Sequence, residues 1–441
     1  MRHLALCLLV LLSCRSWSQI TLDTAKTEPG EPKPPGIALT LADAIRLAKV
    51  NAPQFGAALT EAGLAREDRV QARAALLPNV SYTTGAIYTE PNGTPEGVFV
   101  GANSPHVYVS QGVAHLSLSF TSVADFRRAR SQEVVARARA EIALRGLVTT
   151  VVRDFYGAIV AQQKLVNTQQ AAEEARGFLE LSEKLEHGGE VAHSDVIKAQ
   201  LQANDRQRNL QESQLAVEKA KLELAVLILP SLTRDFQLVD DLQQSPSLPP
   251  LAQVQGLAVR NNPELTSAFA AVRASQQEVA AAIGAHLPSL SINYLYGIDA
   301  RQYAVRSPDG THNLGYQVAA TLDLPIFNWG ATQSKVRQAQ LRRDQSQVEL
   351  SAAQRQALAN LQLFYNEAKT AGTQIDTLRQ TVELAAESLR LTTLRYQSGE
   401  ATALEVVDAQ NTLVLSRNNS DDGLVRYRVA IANLQSLTGN F

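Results

Sequence analysis

The sequence contains an internal duplication, and this feature limits the possible folds more than any other. Asn51-Ala52-Pro53 returns 210 positions later as Asn261-Asn262-Pro263. The same spacing, to within one residue, relates these further segments: Leu77-Pro78 and Leu287-Pro288, Phe155-Tyr156 and Phe364-Tyr365, Ala199-Gln200 and Ala409-Gln410. A spacing that persists along both halves indicates two copies of one folding unit. We assign residues 39–230 to the first repeat, 231–248 to a linker and 249–441 to the second repeat.

Each repeat contains two segments in which apolar and polar residues alternate. Alternation with a period of two is typical of strands with one apolar face. It predicts four strands, at residues 79–88, 113–120, 290–298 and 315–324. In the second of these strands, Ala114, Leu116, Leu118 and Phe120 would share the apolar face. The predicted strands are about ten residues long, which is the length of a tilted strand that crosses a membrane.

A long helical segment follows each pair of strands. Residues 127–185 and 331–396 contain no proline, and as helices they would each extend roughly 90–100 Å. Each segment ends at a glycine turn, where a left-handed residue can reverse the chain into a shorter return helix. The predicted fold is therefore mostly α, with long antiparallel helical hairpins and a small β part.

The first residues predict export from the cytoplasm. Residues 1–18 have the form of a signal peptide, with an apolar run from Leu4 to Leu12 and a cleavage site before Gln19. In an alternative interpretation, Leu11-Leu12-Ser13-Cys14 is a lipoprotein signal and Cys14 becomes the lipidated first residue. Residues 19–38 contain several prolines and predict an extended tether.

The rest of the chain constrains how it could cross a membrane. From Leu39 onward no run approaches eighteen consecutive apolar residues, so a membrane-spanning part would have to be a closed sheet. Four strands cannot close such a sheet, and unpaired edges cost several kcal/mol per polar group in lipid. The pattern therefore predicts an obligate oligomer that shares one sheet and contacts lipid.

Composition and motifs argue against an enzyme. The formal net charge is −2, which gives no sign of a nucleic-acid partner. Both cysteines lie in the first fourteen residues, so the body of the chain has no thiolate chemistry. The sequence contains no phosphate-binding glycine loop, no His-Glu-x-x-His and no Gly-x-Ser-x-Gly. We predict no catalytic residues, no metal site and no cofactor.

Three motifs resemble those of the TolC-type outer-membrane efflux and secretion channels. They are Leu39 to Pro53, Leu324 to Gly330, and Arg395 to Gln410. The resemblance covers residues 39–441 and implies a homotrimer whose twelve strands form one transmembrane β-barrel, continued by an α-helical barrel in the periplasm. It implies a passive exit channel of a tripartite efflux or type I secretion system, which exports small molecules or proteins. It also implies two partners, a periplasmic adaptor (membrane fusion protein) and an inner-membrane pump.

The resemblance also implies functional positions at the periplasmic end. Glu405 and Asp408 match the acidic pair that forms the family's periplasmic constriction, with Asp195 as a further candidate. Two departures are visible, because Lys198 stands where the first repeat would place the second acid and Ala401 stands where the family often has arginine. The adaptor would dock at the helical tips, at these residues: Gly188, Gly189, Glu190, Tyr396, Gly399 and Glu400.

A second interpretation keeps the helices but removes the pore. Long helical hairpins are also typical of periplasmic coiled-coil adaptors or scaffolds. Such proteins lack the two strand pairs and this duplication, so the sequence favours the channel.

Overall fold

The structure is a computed structural model, and it describes residues 37–88, 106–231, 236–244 and 246–439. The predicted signal peptide, the alternative lipidation site Cys14, and nearly all of the tether lie outside the described residues.

Both repeats have the same order of elements: a short strand, two helices, two strands, a long helix and a return helix. The first repeat contains β1 (Ile37–Leu39), α1 (Leu41–Asn51), α2 (Pro53–Ala74), β2 (Asn79–Tyr88), β3 (His106–Leu118), α3 (Phe120–His187) and α4 (His193–Ile228). The second contains β4 (Phe236–Leu238), α5 (Leu251–Asn261), α6 (Pro263–Gly284), β5 (Ser289–Ala300), β6 (Leu314–Asp323), α7 (Ala331–Gln397) and α8 (Ala403–Thr438).

The conserved spacing reflects a structural need at the start of each repeat. Pro53 and Pro263 each occupy the first turn of a new helix, where a missing backbone N–H costs nothing. The asparagine two residues before each proline makes the same hydrogen bond in both repeats. Asn51 Nδ2 donates to the carbonyl of Ile228 at 2.7 Å, and Asn261 Nδ2 donates to that of Thr438 at 2.9 Å. Each bond satisfies an otherwise open carbonyl at the end of a return helix.

Strands β2, β3, β5 and β6 form one antiparallel sheet in that order. Its register confirms the predicted alternation. One row across the sheet contains Val80, Ala114, Tyr294 and Val318, and the adjacent row contains Asn79, His115, Asn293 and Ala319. Directly paired residues share a face, so one face is mainly apolar. On the other face, His115 Nδ1 and Asn293 Oδ1 are 2.7 Å apart.

The predicted strand 113–120 is wrong at both ends. Strand β3 begins earlier, at His106, and it ends at Leu118. Phe120 is the first residue of α3, because the Ser119 hydroxyl accepts a hydrogen bond from Ser122 N at 3.0 Å and starts the helix there. The ring of Phe120 lies against Gly284 of α6, where an added Cβ would come within 2.9 Å. The apolar residue serves helix packing rather than the sheet.

The helices continue the order of the strands. Helix α3 packs between α2 and α6, and α6 packs between α3 and α7, while α4 and α8 lie along the long helices. With 68 and 67 residues, α3 and α7 each extend about 100 Å, so the glycine turns lie far from the sheet. Within the described ranges, we find no helix with both the length and the hydropathy needed to cross a bilayer.

The segment predicted as a linker contains a strand. β4 pairs in parallel with β1, from Ile37–Phe236 to Leu39–Leu238. After β4, Tyr427 Oη donates to the carbonyl of Pro246 at 2.5 Å. Phe155, Tyr156 and Ile159 of α3 form an apolar cluster with Phe236. The two repeats are thus joined at the middle of the long helices.

Candidate functional site

The two turns farthest from the sheet have the same construction. Gly189 and Gly399 have φ angles of 73° and 75°, in the left-handed region that glycine adopts without strain. Glu190 N donates to the carbonyl of Leu185 at 2.9 Å, and Glu400 N donates to that of Arg395 at 2.8 Å. A bond from a backbone N–H to the carbonyl five residues earlier is typical of the Schellman motif, which ends a helix. The predicted reversal is therefore present in both repeats, and Gly188, with φ of −77°, remains right-handed.

The two tips of the chain pack against each other through Tyr396. Its side chain is only 2% exposed, although we predicted it as a docking residue. Its ring centre lies 5.1 Å from that of Phe178, and its hydroxyl lies 3.2 Å from Ser182 Oγ. Tyr396 therefore holds the second hairpin to the first and offers no surface to a partner. The other five predicted docking residues are exposed: Gly188, Gly189, Glu190, Gly399 and Glu400.

Glu405 is occupied by contacts within its own hairpin. It forms a capping box with Thr402, in which Glu405 Oε1 accepts from Thr402 N at 3.1 Å and Thr402 Oγ1 accepts from Glu405 N at 3.4 Å. Its other oxygen lies 3.4 Å from Arg395 Nη1. The pKa of Glu405 lies below its ordinary value, mainly because the carboxylate accepts the hydrogen bonds of Thr402. The carboxylate thus fixes the start of α8.

Asp408 lies one turn further along α8 and is exposed. Among the described residues its carboxylate has no hydrogen-bond or ion-pair partner, although its backbone carbonyl accepts from Thr412 Oγ1 at 2.8 Å. Residues three apart on a helix lie on the same side, so Glu405 and Asp408 share a face as predicted. Of these two acids, Asp408 is the one that has no partner for its charge among the described residues.

The first repeat has an acid at the same helix position but neutralises it. Asp195, like Glu405, lies in the first turn of its return helix, where a negative charge is favourable. It pairs with Lys198 at 3.2 Å, and Lys198 occupies the position that corresponds to Asp408. The sequence identified both residues, but their ion pair became visible only in the structure.

The sequence analysis missed two residues that shape this tip. Thr402 precedes Glu405 by three residues, which is the spacing of a capping box and could have been recognised. No sequence pattern predicted the contacts of Arg395. Its guanidinium reaches the carbonyl of Glu400 at 3.0 Å as well as Glu405, so it connects the end of α7, the turn and the start of α8.

Farther from the tips, polar side chains also form contacts between α3 and α8. Asn167 Nδ2 donates to Asp421 Oδ2 at 3.0 Å, and Lys164 Nζ lies 2.7 Å from Asp422. Burial raises the pKa of Asp421 and that of Glu174, which lies 3.9 Å from Arg417. Hydrogen bonds and ion pairs between polar side chains thus join α3 to α8 between the apolar clusters.

The residues that the structure describes contain no group of three or more His, Cys, Asp and Glu side chains that could hold a metal ion. His187 and His193, which flank the first turn, are used locally. His187 Nδ1 lies 2.9 Å from the carbonyl of Glu183, and His193 Nδ1 lies 2.6 Å from Glu186 Oε1.

The fold and its ends define a class of protein. A small sheet with one apolar face stands at one end, and paired helices of about 100 Å lead to tips with exposed carboxylates. Such a chain is an elongated helical subunit with a small sheet at one end and charged tips at the other.

Comparison with known proteins identifies the family. The chain matches the model of the family "Outer membrane efflux protein" over residues 44–228 and 254–440. The alkaline protease secretion protein AprF of Pseudomonas aeruginosa is 26% identical over 412 residues, which cover 91% of this chain and 85% of AprF. The outer membrane protein TolC of Escherichia coli is 23% identical, over 89% of this chain and 80% of TolC. The outer membrane channel CmeC of Campylobacter jejuni superposes with a TM-score of 0.80, at 16% identity, over 91% of this chain and 85% of CmeC.

The chain belongs to the outer membrane efflux protein family. It is an outer-membrane exit channel of the efflux or type I secretion kind, and its helical part lies in the periplasm. The predicted resemblance and fold class are confirmed. The members of the family are channels and not enzymes, and the interpretation as an adaptor without a pore is not retained.

Proposed function

We propose that three copies of the chain form one passive channel, in which their sheets join into a twelve-stranded β-barrel. The sheet order supports this assembly, because β2 and β6 are the two edge strands. Edge strands leave backbone polar groups unpaired, which is costly in lipid. Pairing β6 of one copy with β2 of the next removes every edge at once. Without heating, the assembled protein should migrate as a trimer from the outer-membrane fraction, and a monomer there would contradict the proposal.

The transport energy would come from an inner-membrane pump, since we propose no catalytic activity for this chain. A periplasmic adaptor would join the two at the tips. Gly188, Gly189, Glu190, Gly399 and Glu400 support this role because they are exposed at the ends remote from the sheet.

Cysteine cross-linking tests the docking surface. Cysteine at Glu190 or Glu400 should cross-link to the adaptor in cells, whereas cysteine at Asp309, in the loop between β5 and β6, should not. Cross-linking from Asp309 alone would mean that the proposed orientation is inverted.

We further propose that Asp408 carries the negative charge of the periplasmic opening. The pair Glu405 and Asp408 would give six carboxylates in a trimer, but Glu405 is paired with Arg395 and caps α8. Asp195 is likewise paired, with Lys198. Of these three acids, Asp408 is the one whose carboxylate has no partner among the described residues. Three carboxylates around a narrow opening would attract cations and bind divalent ions through oxygen ligands.

Single substitutions separate the two acids. In planar bilayers, Asp408→Asn should abolish most of the cation selectivity and the block by divalent ions from the periplasmic side. Glu405→Gln should retain both, because Asp408 remains, while the tip becomes less rigid. If Glu405→Gln causes the larger loss of selectivity, the assignment to Asp408 is wrong. If neither variant changes selectivity, other residues form the opening.

We propose protein export as the cargo class, because two of the similar proteins are named for protease secretion. AprF and the "Proteases secretion protein PrtF" of Dickeya chrysanthemi are each 26% identical and align over 91% of this chain. The "Cobalt-zinc-cadmium resistance protein CzcC" of Cupriavidus metallidurans aligns over 67%. Expression in Pseudomonas aeruginosa that lacks AprF should restore secretion of alkaline protease. Restored drug tolerance in Escherichia coli that lacks TolC, without restored secretion, would favour small molecules.

A further inference from the structure

The apolar face of the sheet contains a groove that follows strand β3. Three small side chains of β3 form its floor: Ser110, Gly112 and Ala114. Larger side chains of β2 and β5 line it on either side: Val80, Tyr82, Tyr294, Tyr296 and Ile298. The groove has a volume of about 560 Å³, and its floor extends about 13 Å along the strand. Its walls are mainly apolar, so it fits an apolar chain better than a polar ligand.

The gap at Gly112 is not a requirement of the backbone. Its φ angle is not positive, and an added Cβ would meet only the carbonyl oxygen of Tyr296, at an ordinary contact distance of 3.8 Å. In contrast, a Cβ on the neighbouring Gly297 would collide with the backbone of Ser110. Glycine weakens the interior of a strand, and it often marks a place where a ligand approaches closely. Gly112 therefore keeps open a space that the fold itself does not need.

Hydroxyl groups meet at the loop end of the groove. Ser110 Oγ lies 2.5 Å from Tyr82 Oη, and Tyr303 Oη donates to it at 3.2 Å. Tyr303 belongs to the loop 301–313 between β5 and β6, and its ring meets that of Tyr108 edge to face, with their centres 6.4 Å apart. The loop thus folds back onto the apolar face. A ligand in the groove would have polar partners at the loop end and apolar partners toward the helices.

The same loop carries basic side chains just beyond the hydroxyls. Arg301 and Arg306 are exposed and lie on either side of Tyr303 in the sequence. Arg306 Nη2 lies 2.6 Å from His312 Nε2, so this contact gives the guanidinium no opposite charge. Asp309, the acid of residues 301–313, accepts a backbone hydrogen bond within its own turn. Basic side chains at a membrane surface attract lipid phosphates.

The location of the sheet determines which ligand can reach the groove. The chain is an outer-membrane channel whose helical part lies in the periplasm, so the loop end of the sheet lies toward the outer surface. A matching ligand combines an apolar chain, oxygen atoms near the start of that chain and a negatively charged headgroup. Lipid A, the acylated and phosphorylated glycolipid of the outer leaflet, has all three.

We propose that each copy binds one molecule of lipid A, with an acyl chain over Gly112, the oxygen atoms near its start at the three hydroxyls, and a phosphate at Arg301 and Arg306. This inference rests on the proposed function, because the apolar face must be in contact with lipid. The groove lies within β2, β3 and β5 of one chain, so a trimer would have three sites.

Filling the groove tests the acyl site. The trimer would be purified from the outer-membrane fraction and freed of lipid in detergent, and bound lipid A would be counted by native mass spectrometry during a titration. The wild type should bind three copies. Gly112→Val should weaken binding about tenfold, because the valine displaces roughly two methylene groups of the ligand. Ala320→Val adds apolar bulk to the same face outside the groove, and it should not change binding.

The headgroup site has its own variant. Arg301→Gln with Arg306→Gln should weaken the binding of lipid A about fivefold per arginine, because each one attracts the phosphate. It should leave the binding of dephosphorylated lipid A unchanged, whereas Gly112→Val should weaken both. Arg301→Lys with Arg306→Lys keeps the charge and should bind like the wild type.

Two results would overturn the inference: wild-type affinity for lipid A in Gly112→Val, or equal affinity of the wild type for phosphatidylglycerol and lipid A. The proposed function is tested separately by Val318→Arg, on the same face outside the groove. If Val318→Arg prevents assembly while Gly112→Val binds lipid A normally, the apolar face still contacts lipid and only this inference fails. If Val318→Arg assembles like the wild type, the orientation of the sheet fails and the inference fails with it.

Discussion

The orientation of the sheet in the membrane can be tested at two adjacent positions of β6. Val318 and Gln317 point to opposite faces, because neighbouring strand residues alternate. Val318 shares the apolar row with Val80, Ala114 and Tyr294. We expect Val318→Arg to destabilise the assembled channel strongly and Gln317→Arg to have little effect, since the first arginine would face lipid and the second the water-filled interior.

The size of the effect follows from the position of Val318 in the strand. With β6 spanning Leu314–Asp323, Val318 lies roughly 13–17 Å along the strand from either end, so an arginine there is close to mid-membrane depth. Arginine on the lipid face at that depth costs about 2–4 kcal/mol. Because three chains share the sheet, the trimer would lose about 6–12 kcal/mol. Gln317→Arg replaces one long polar side chain with another.

The assay is the temperature at which the trimer dissociates in detergent, measured on protein from the outer-membrane fraction. Val318→Arg should lower this temperature strongly or prevent assembly, and Gln317→Arg should leave it nearly unchanged. Gln317 is a better control than Asn293, because Asn293 already pairs with His115 across the sheet. Equal losses for the two variants, or a larger loss for Gln317→Arg, would refute the assignment of the apolar face to lipid.

Three further predictions concern the helical part. Asn51→Ala and Asn261→Ala should each destabilise the chain by about 1–2 kcal/mol, because each leaves a helix-terminal carbonyl unpaired; unequal losses in urea unfolding would show that the repeats do not use the bond alike. Tyr396→Phe removes the hydroxyl contact to Ser182 and should increase the rate of spontaneous channel opening in bilayers. The lowered pKa of Glu405 means that its stabilisation of the tip is complete above the ordinary glutamate pKa of 4.5 and is lost as the pH falls through the lower folded value. Acidification should therefore increase proteolysis at the turn, and Glu405→Gln should remove this pH dependence.

Local patterns allowed much of the fold to be predicted from the sequence. The strand at 79–88 was predicted with its observed bounds, because alternation and the preceding proline both mark it. The same alternation misled at Phe120, where a serine cap outweighs the apolar period. Period alone cannot distinguish a residue that packs on a sheet from one that packs on a helix.

The tip was harder to predict because its contacts are tertiary. A tyrosine next to a turn is expected at the surface, and only the packing of α3 against the second hairpin buries Tyr396 beside Phe178. The contact spans more than two hundred residues of sequence. Likewise, nothing in the sequence shows that Arg395 reaches Glu405. The sequence marks the acidic positions as candidates, but which of them stays unpaired depends on side-chain geometry.

Comparison of equivalent positions in the two repeats helps to distinguish structural residues from functional ones. A residue that both repeats use in the same way, such as Asn51 with Asn261 or the first-turn acids of α4 and α8, meets a need that every helical hairpin has. A position where the repeats diverge has no such explanation. Lys198 neutralises Asp195 in the first repeat, whereas Asp408 stands at the same position in the second. Ser119 alone connects β3 to α3, whereas seven residues, 324–330, separate β6 from α7. Both differences lie near the ends of the long helices, and the helical length between them is nearly the same in both repeats. We therefore expect the contacts that each subunit makes once to lie at these positions of the second repeat.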